Sequence, residues 1–449
     1  MRRFESQLLA AALLAWLVAG IVNLATTPIL GYDEAAFAAL ARGADTPNWL
    51  YRSSGVTLLA QLGDSETLLR LPFLIVGLAL PLAAFALGRA AFDARTGAWA
   101  AAVLATGHQL LGRNAHVLGD VPSVAGLLAG LAIVVGEFTR EGGPRRRLLL
   151  AAPAFAAAFY FRYGSAPVIA AALVIAPLIW FRVVRVHWRI VVVTGALFGV
   201  LLVPHVIQSL DETGSVLGLL RFSAGVPRRA YIGEGLVTYA TSNPIRYYGV
   251  LVAPCMLAGL AGLALRKRPA SYLVIVALAQ IVTIGLTSHA QPRYVFAGVC
   301  ILVVVGVAAI VTARASGRAA MRRLPLSRAA LVALVLAYAW SVRWNVRANG
   351  KLGEQRASII AAADAIRRDG DSPCIVLAAS LPQLLWYSRC GAGRWYYELD
   401  AGALLPNRRR YLVETAVGNP IDMEWAPYHA VVLDELPTGH PKSRVWRLR

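Results

Sequence analysis

The chain has 449 residues, 58% of them hydrophobic and only 15% charged, with a mean hydropathy of +0.59 and a formal net charge of +20. That balance excludes an ordinary soluble domain and predicts a polytopic α-helical membrane protein. The positive charge does not point to nucleic acid, because Lys and Arg fall mainly in short clusters between apolar runs, as membrane topology requires.

The apolar runs lie at roughly 8–28, 68–87, 97–111, 121–136, 147–160, 166–181, 190–208, 247–265, 271–287, 294–312 and 329–344. They predict about eleven transmembrane helices. Several are shorter than the roughly twenty residues a bilayer needs, so polar ends must be recruited or the helices must be short and tilted. Met1-Arg2-Arg3 resembles the start of a signal peptide, but Thr26-Thr27-Pro28 is a poor cleavage site and more spans follow; the segment reads as an uncleaved first helix. Arg2 and Arg3, Arg89 and Arg95, Arg140 with Arg145 to Arg147, Arg182 to Arg189, Arg266-Lys267-Arg268, and Arg314 to Arg328 all occupy alternate loops. Those loops are expected to be cytoplasmic, and the N-terminus with them.

The other loops hold the uncommon chemistry. In the first, residues 29–67, the acidic pair Asp33-Glu34 follows the first span, with Tyr51 and Arg52 further on; the second carries Arg113, Asn114, His116 and Asp120, and the third Arg162 between Phe161 and Tyr163. The fourth, residues 209–246, is long and aromatic and includes Arg228-Arg229 and Arg246, and the fifth is Ser288-His289-Ala290-Gln291-Pro292-Arg293-Tyr294. Bland readings stand beside functional ones. Arg70 and Arg246, near span ends, are placed to snorkel to lipid headgroups; Arg162 is placed for an aromatic stack; Asp120 is within reach of an ion pair with Arg113. Arg293 is the strongest single cation: after Pro292 it precedes a helix whose dipole opposes a positive charge, a conflict that a bound anion relieves.

Residues 1–344 thus read as a membrane catalytic domain, and 345–449 as a small α/β domain. There a helix over about 354–368 precedes strand-like runs at Cys374–Leu377, Tyr411–Val413 and His429–Leu433. An odd number of spans puts this domain outside the membrane, where Cys374 and Cys390 could form a disulfide or remain two thiols. Cys255 and Cys300 lie in apolar spans as small core residues. The sequence has no Gly-rich phosphate loop, no paired His or Cys metal signature, and no repeated Gly-broken half-helices of the transporter kind. His187 is expected to be solvated and His108 buried.

A basic N-terminus, one span, Asp33-Glu34 at the head of a long external loop, Asp120 after Arg113-Asn114 at the head of the fourth span, Pro292-Arg293-Tyr294 before a late span, and a soluble tail together resemble the C-type membrane glycosyltransferases that use polyprenyl-phosphate sugars. That group includes the lipid A aminoarabinose transferases and the protein O-mannosyltransferases. The resemblance implies a C-type fold in the cytoplasmic (inner) membrane and transfer, with inversion, from a polyprenyl monophosphate donor to a lipid, glycan or protein acceptor of the cell envelope. It places Asp33 beside the lipid-linked sugar, followed by Glu34, and brings in Asp120, Arg293 and Tyr294. Such a donor already carries its leaving group, so the reaction needs a carboxylate base, cations for the departing phosphate and a lateral opening for the prenyl tail. Asp33 fits the base; Arg52, Arg113, Arg162, Arg246 and Arg293 fit the phosphate, and Tyr51, His116 and Tyr294 are further binding candidates. No cofactor is expected to be obligatory, although Asp33, Glu34, Asp120 and His116 are of the right type to hold magnesium or manganese. Two rival readings are a transporter or flippase of lipid-linked saccharides, which predicts a charged site near mid-membrane, and a non-catalytic partner in envelope assembly.

Overall fold

The structure is a computed structural model that describes residues 3–27, 30–45, 54–225, 230–288, 290–316, 326–370, 373–394, 408–416 and 432–448. Every predicted apolar run falls on helix. Six helices are long and apolar enough to cross a membrane: Arg3–Thr26, Glu66–Ala91, Asp120–Phe138, Arg268–Thr287, Pro292–Arg314 and Arg328–Gly350. Trp188–Leu201 and Val203–Thr213, bent by 41°, pass the same test only as a pair and count as a seventh span if they cross together. The protein is therefore multi-pass, but among the described residues the helices of full spanning length number six or seven, where the hydropathy pattern predicts eleven. The remaining runs lie on shorter helices, Ala94–Leu104, Ala151–Phe161, Tyr163–Ile179 and Val252–Leu265. Local signals cut them short: Asp93 caps Ala94–Leu104 by accepting the Thr96 N–H at 2.7 Å, and Thr106-Gly107 follows its end.

The bend after Leu201 follows from Pro204, which has no N–H to continue the helix. The Tyr160 hydroxyl bridges the break, donating to the Leu201 carbonyl at 2.9 Å and accepting the His205 N–H at 3.2 Å. Backbone groups that lipid cannot satisfy are thereby paired.

The chain divides into two compact units, and their division does not coincide with the single boundary expected near residue 345. The first, Met1–Val22, Phe73–Ala115 and Gly119–Asn345, is helical. Its helices approach through small residues: a Cβ on Gly306 would lie 1.8 Å from the Cys255 carbonyl oxygen, and one on Gly259 would lie 2.1 Å from that of Leu302. Only glycine permits that backbone-to-backbone approach, a packing device of membrane helices.

The second unit is Asn23–Pro72, His116–Leu118 and Val346–Arg449. It holds a five-stranded sheet of β1 (Cys374–Ala378), β2 (Ala392–Arg394), β3 (Arg409–Glu414), β4 (Val432–Leu436) and β5 (Arg444–Leu448), in the order β2-β1-β3-β5-β4. β2, β1 and β3 are parallel, and β5 runs antiparallel to both β3 and β4. The helix Gly353–Asp369 and the strands at Cys374 and Tyr411 are those read from the pattern. The third expected strand, His429–Leu433, overlaps Val432–Leu436, and residues 429–431 lie outside the described residues. Ile359, Ile366, Val376, Leu384, Tyr411 and Val445 form the core, joined by Ala39 of the helix Tyr32–Ala41. Cys374 and Cys390 form a disulfide across a sequence separation of 16, tying the start of β1 to the approach to β2. Asp45 bridges Ala392 in parallel, so the segment after the helix Tyr32–Ala41 extends the sheet beyond β2.

Candidate functional site

In the first unit three arginines converge on one carboxylate. Asp120 opens the helix Asp120–Phe138, where the positive end of the helix dipole favours an acid. Its carboxylate is 1% exposed and pairs with Arg162 through Oδ1 and, through Oδ2, with Arg113 at 3.6 Å and Arg293 at 4.0 Å. Each arginine stands where a helix stops or starts. Arg113 caps the end of His108–Gly112, Arg162 leaves Ala151–Phe161 in an extended conformation, and Arg293 lies in the 3-10 turn Pro292–Val295 before Phe296–Ser316. Three guanidiniums thus share one carboxylate, and the arginines are 17–25% exposed while the acid is buried. Asp120 is the shared counter-charge of three guanidinium forks, whose planar donors are of the kind that pair with carboxylate or phosphate.

Tyr294 joins the two outer arginines. Its ring centroid lies 4.9 Å from the Arg162 guanidinium carbon and 5.6 Å from that of Arg293. Arg162 therefore stacks, as a short aromatic turn predicts, but on Tyr294 rather than on the flanking Phe161 or Tyr163, while its charge faces Asp120. The Arg293 Nε donates to Gln291 Oε1 at 2.6 Å, and the Tyr239 hydroxyl donates to the Gln291 carbonyl at 3.1 Å. Burial pushes the Tyr239 hydroxyl well above the ordinary tyrosine range, keeping it a donor. Gln280 bonds backbone groups on both sides of the cluster. Neither Tyr239 nor Gln280 was legible in the sequence; a lone polar residue inside an apolar run was the available signal for Gln280.

Asp33 and Glu34 belong to the second unit. They occupy the first turn of Tyr32–Ala41, and successive positions on a helix point about 100° apart. Asp33 is half-buried, whereas Glu34 is 1% exposed. Glu34 Oε1 accepts from Arg70 Nε at 3.1 Å and Val117 N at 3.0 Å, and its Oε2 accepts from Arg70 Nη2 at 3.1 Å and Gly31 N at 2.8 Å. Burial by itself would raise the Glu34 carboxyl, but Arg70, the nearby His116 and these hydrogen bonds outweigh it and hold the group far below the usual carboxylate range. Arg70 is likewise buried, which overturns the snorkelling reading: its head is spent on Glu34, on the Thr27 carbonyl and, at 3.9 Å, on Glu66. Glu66 also accepts from the Tyr387 hydroxyl at 2.8 Å, and Tyr387 in turn accepts the Leu30 N–H at 3.1 Å.

The sequence profile of the dolichyl-phosphate-mannose-protein mannosyltransferase family matches residues 46–207. The structure resembles that of apo ArnT from Cupriavidus metallidurans, with a TM-score of 0.68 and 16% identity over 99% of this chain and 97% of that one. ArnT bound to undecaprenyl phosphate gives 0.60 and 15%, over 99% and 98%. The archaeal oligosaccharyltransferase AglB from Archaeoglobus fulgidus, solved with an inhibitory peptide and a dolichol-phosphate, gives 0.55 and 12%, over 87% of this chain and 64% of that one. The chain has the C-type membrane glycosyltransferase fold. No curated protein matches it by sequence.

Within this C-type fold the predicted residues separate into groups. Asp120, Arg113, Arg162, Arg293 and Tyr294 come together in the first unit; Glu34 and His116 interact in the second, where Asp33 adjoins Glu34 in the helix. Arg246 is exposed, on the short helix Pro244–Tyr248, outside the Asp120 ion pairs. Tyr51, Arg52, Arg228, Arg229 and His289 lie outside the described residues. Among the described residues no three His, Cys, Asp or Glu side chains are grouped to hold a metal ion. The Glu34 oxygens already accept from a guanidinium and two backbone amides, a donor set that suits a structural carboxylate better than a cation ligand.

Proposed function

We propose that the protein transfers a sugar from a polyprenyl monophosphate to an acceptor hydroxyl of the cell envelope, at the outer face of the cytoplasmic membrane. The observation that carries this reading is the three-arginine cluster on Asp120, in a unit whose helices also form an apolar groove. The groove, of about 560 Å³, runs between the helices Ala166–Ile179 and Arg268–Thr287 and is lined by Ala166, Pro167, Ala170, Val174, Ile275 and Thr283. Ala166 is four residues from Arg162 in the chain, and in this reading the groove takes the tail of a lipid whose anionic head is held by the arginines. A soluble sugar nucleotide has no use for such a groove; a prenyl chain does.

In this scheme the acceptor oxygen gives its proton to the Asp33 carboxylate and attacks the anomeric carbon. The bond from that carbon to the phosphate oxygen breaks with inversion, and the electron pair leaves on polyprenyl phosphate. Arg113, Arg162 and Arg293 stabilise the charge that grows there. Asp120 preorganises them, and Glu34 fixes the turn that carries Asp33. The arginines supply the charge that a divalent ion would otherwise bring, so thorough chelation is expected to change transfer by no more than about twofold. The four shorter apolar helices complete eleven crossings, with the N-terminus cytoplasmic and residues 345–449 external.

The deciding experiment is mass spectrometry of the purified protein for bound polyprenyl phosphate, followed by transfer assays on the wild type and Asp33→Asn. Co-purification, with turnover lost in a stably folded Asp33→Asn, is the expected result. Lipid-linked saccharide moved across vesicles without transfer would establish the transporter reading instead, and no binding of polyprenyl phosphate would leave the assembly partner.

A further inference from the structure

Gln280 lies within the membrane-spanning helix Arg268–Thr287 and is 3% exposed. An amide in that setting is costly unless every hydrogen-bonding group is used. Here each is. Its Nε2 donates to the Gly164 carbonyl at 3.4 Å and to the Tyr294 carbonyl at 3.2 Å, while its Oε1 accepts the Gly298 N–H at 2.6 Å. Gly298 is in the first turn of Phe296–Ser316, where backbone donors lack partners in the helix itself. The approach depends on glycine, since a Cβ there would lie 3.0 Å from the Ala277 carbonyl oxygen and 3.2 Å from Gln280 Oε1.

These hydrogen bonds are not scattered. Gly164 is two residues from Arg162, and Tyr294 follows Arg293 directly and carries the ring on which both guanidiniums rest. We infer that Gln280 is a positioning residue for the donor phosphate, one amide that staples the Arg162 turn to the Arg293 turn and so fixes the gap between the two guanidiniums. The inference rests on the phosphate-binding reading of the cluster. Glutamine suits the task because it offers two donors and an acceptor without charge: leucine would release both carbonyls, and an ionised acid would repel them while adding an unwanted anion beside the arginines.

The test is a double-mutant cycle on the full-length protein in nanodiscs of phosphatidylethanolamine and phosphatidylglycerol, with polyprenyl monophosphate as the titrated ligand. Gln280→Met, close in volume, should weaken binding by about tenfold in the wild-type background and by less than about twofold when Arg293 is already alanine, because the staple acts through that arginine. Donor KM should rise with it. Gln280→Glu provides the second variant: protonated, it regains one donor, so its affinity should improve as pH falls while the wild type shows no such component. A folded Gln280→Met with wild-type affinity, or equal losses in both Arg293 backgrounds, overturns the positioning role and leaves the phosphate site standing. A wild type that binds no polyprenyl phosphate overturns both.

Discussion

Arg293 is the side chain on which a conservative change is most informative. A guanidinium grips two phosphate oxygens in a plane, whereas an ammonium offers one compact charge. Arg293→Lys should therefore lower transfer by about tenfold and Arg293→Ala by about a hundredfold or more, the scale seen when a donor to a developing anion is removed. Separate measurements of donor binding and turnover then show whether the contact exists in the ground state or tightens as the phosphate departs. Near-wild-type values for Arg293→Ala would return it to a lipid-headgroup anchor. Glu34 asks a different question. Its folded carboxyl lies far below the ordinary 4.5, so the pair with Arg70 contributes stability that is fully present above that value and is lost as pH falls through the folded one. Thermal stability should thus be flat in this component from about pH 5 to 8 and decline in stronger acid. Glu34→Gln should remove that acid dependence and cost about 3–5 kcal/mol, since it strands a buried guanidinium. The double change Glu34→Gln, Arg70→Met should recover part of the loss, measured by unfolding in detergent. The sequence exposed both acids but not their division of labour. Only the helical turn, which faces Glu34 to Arg70 and Val117 and leaves Asp33 half-buried, separates them.

At the scale of elements, hydropathy placed the predicted apolar runs on helix but not their length, and it missed the helices Tyr32–Ala41 and Gly55–Ala60 in the stretch read as a loop. The cap at Asp93 sets where one helix begins, and Pro204 marks a bend inside the run 190–208, which reads as continuous. Gly306 and Gly259 illustrate what periodicity cannot show, because their importance is the absence of a side chain at a crossing. Gly306→Leu should force apart the helices Val252–Leu260 and Phe296–Ser316 and lower the thermal midpoint by several degrees or prevent folding, whereas Gly195→Ala, where a Cβ meets nothing within 4 Å, should leave it unchanged. In the sheet, β1 and β3 were visible as apolar runs. β2, three residues containing glycine, and β5, where arginines alternate with Val445, Trp446 and Leu448, were not. Partner strands fix them, and no local pattern does.

At the scale of the molecule, the alternation of arginine-rich loops remains the argument for orientation. A periplasmic reporter fused after Arg449 should be active and a cytoplasmic one silent; the reverse would remove both the odd span count and the external placement of the acidic pair. Hydropathy alone shows the change of character near residue 345, where the last segment of the first unit ends at Asn345. That Asn23–Pro72 belongs with the C-terminal residues could not be read from it, because that depends on the packing of Ala39 into the sheet-side core and on the hydrogen bond from Tyr387 to Glu66. Long-range pairing of this kind leaves no trace in local composition.

The charge around Asp120 also bears on turnover. A sugar-bearing polyprenyl phosphate is a diester with one negative charge, but the lipid left after transfer is a monoester carrying about −1.5 to −2. Three arginines converge on Asp120, and a phosphate held among them as proposed would be gripped more tightly as the doubly charged spent lipid than as the singly charged fresh donor. On the proposed function, the cycle is expected to be paced by departure of its by-product. Free polyprenyl phosphate should compete with donor at concentrations well below the donor KM, and pre-steady-state assays should show a burst of glycosylated acceptor followed by a slower phase. Weakening the cluster slightly, as in Arg113→Lys, should relieve that inhibition. The rate at which the membrane clears or recharges its carrier lipid would then govern how fast the envelope is decorated.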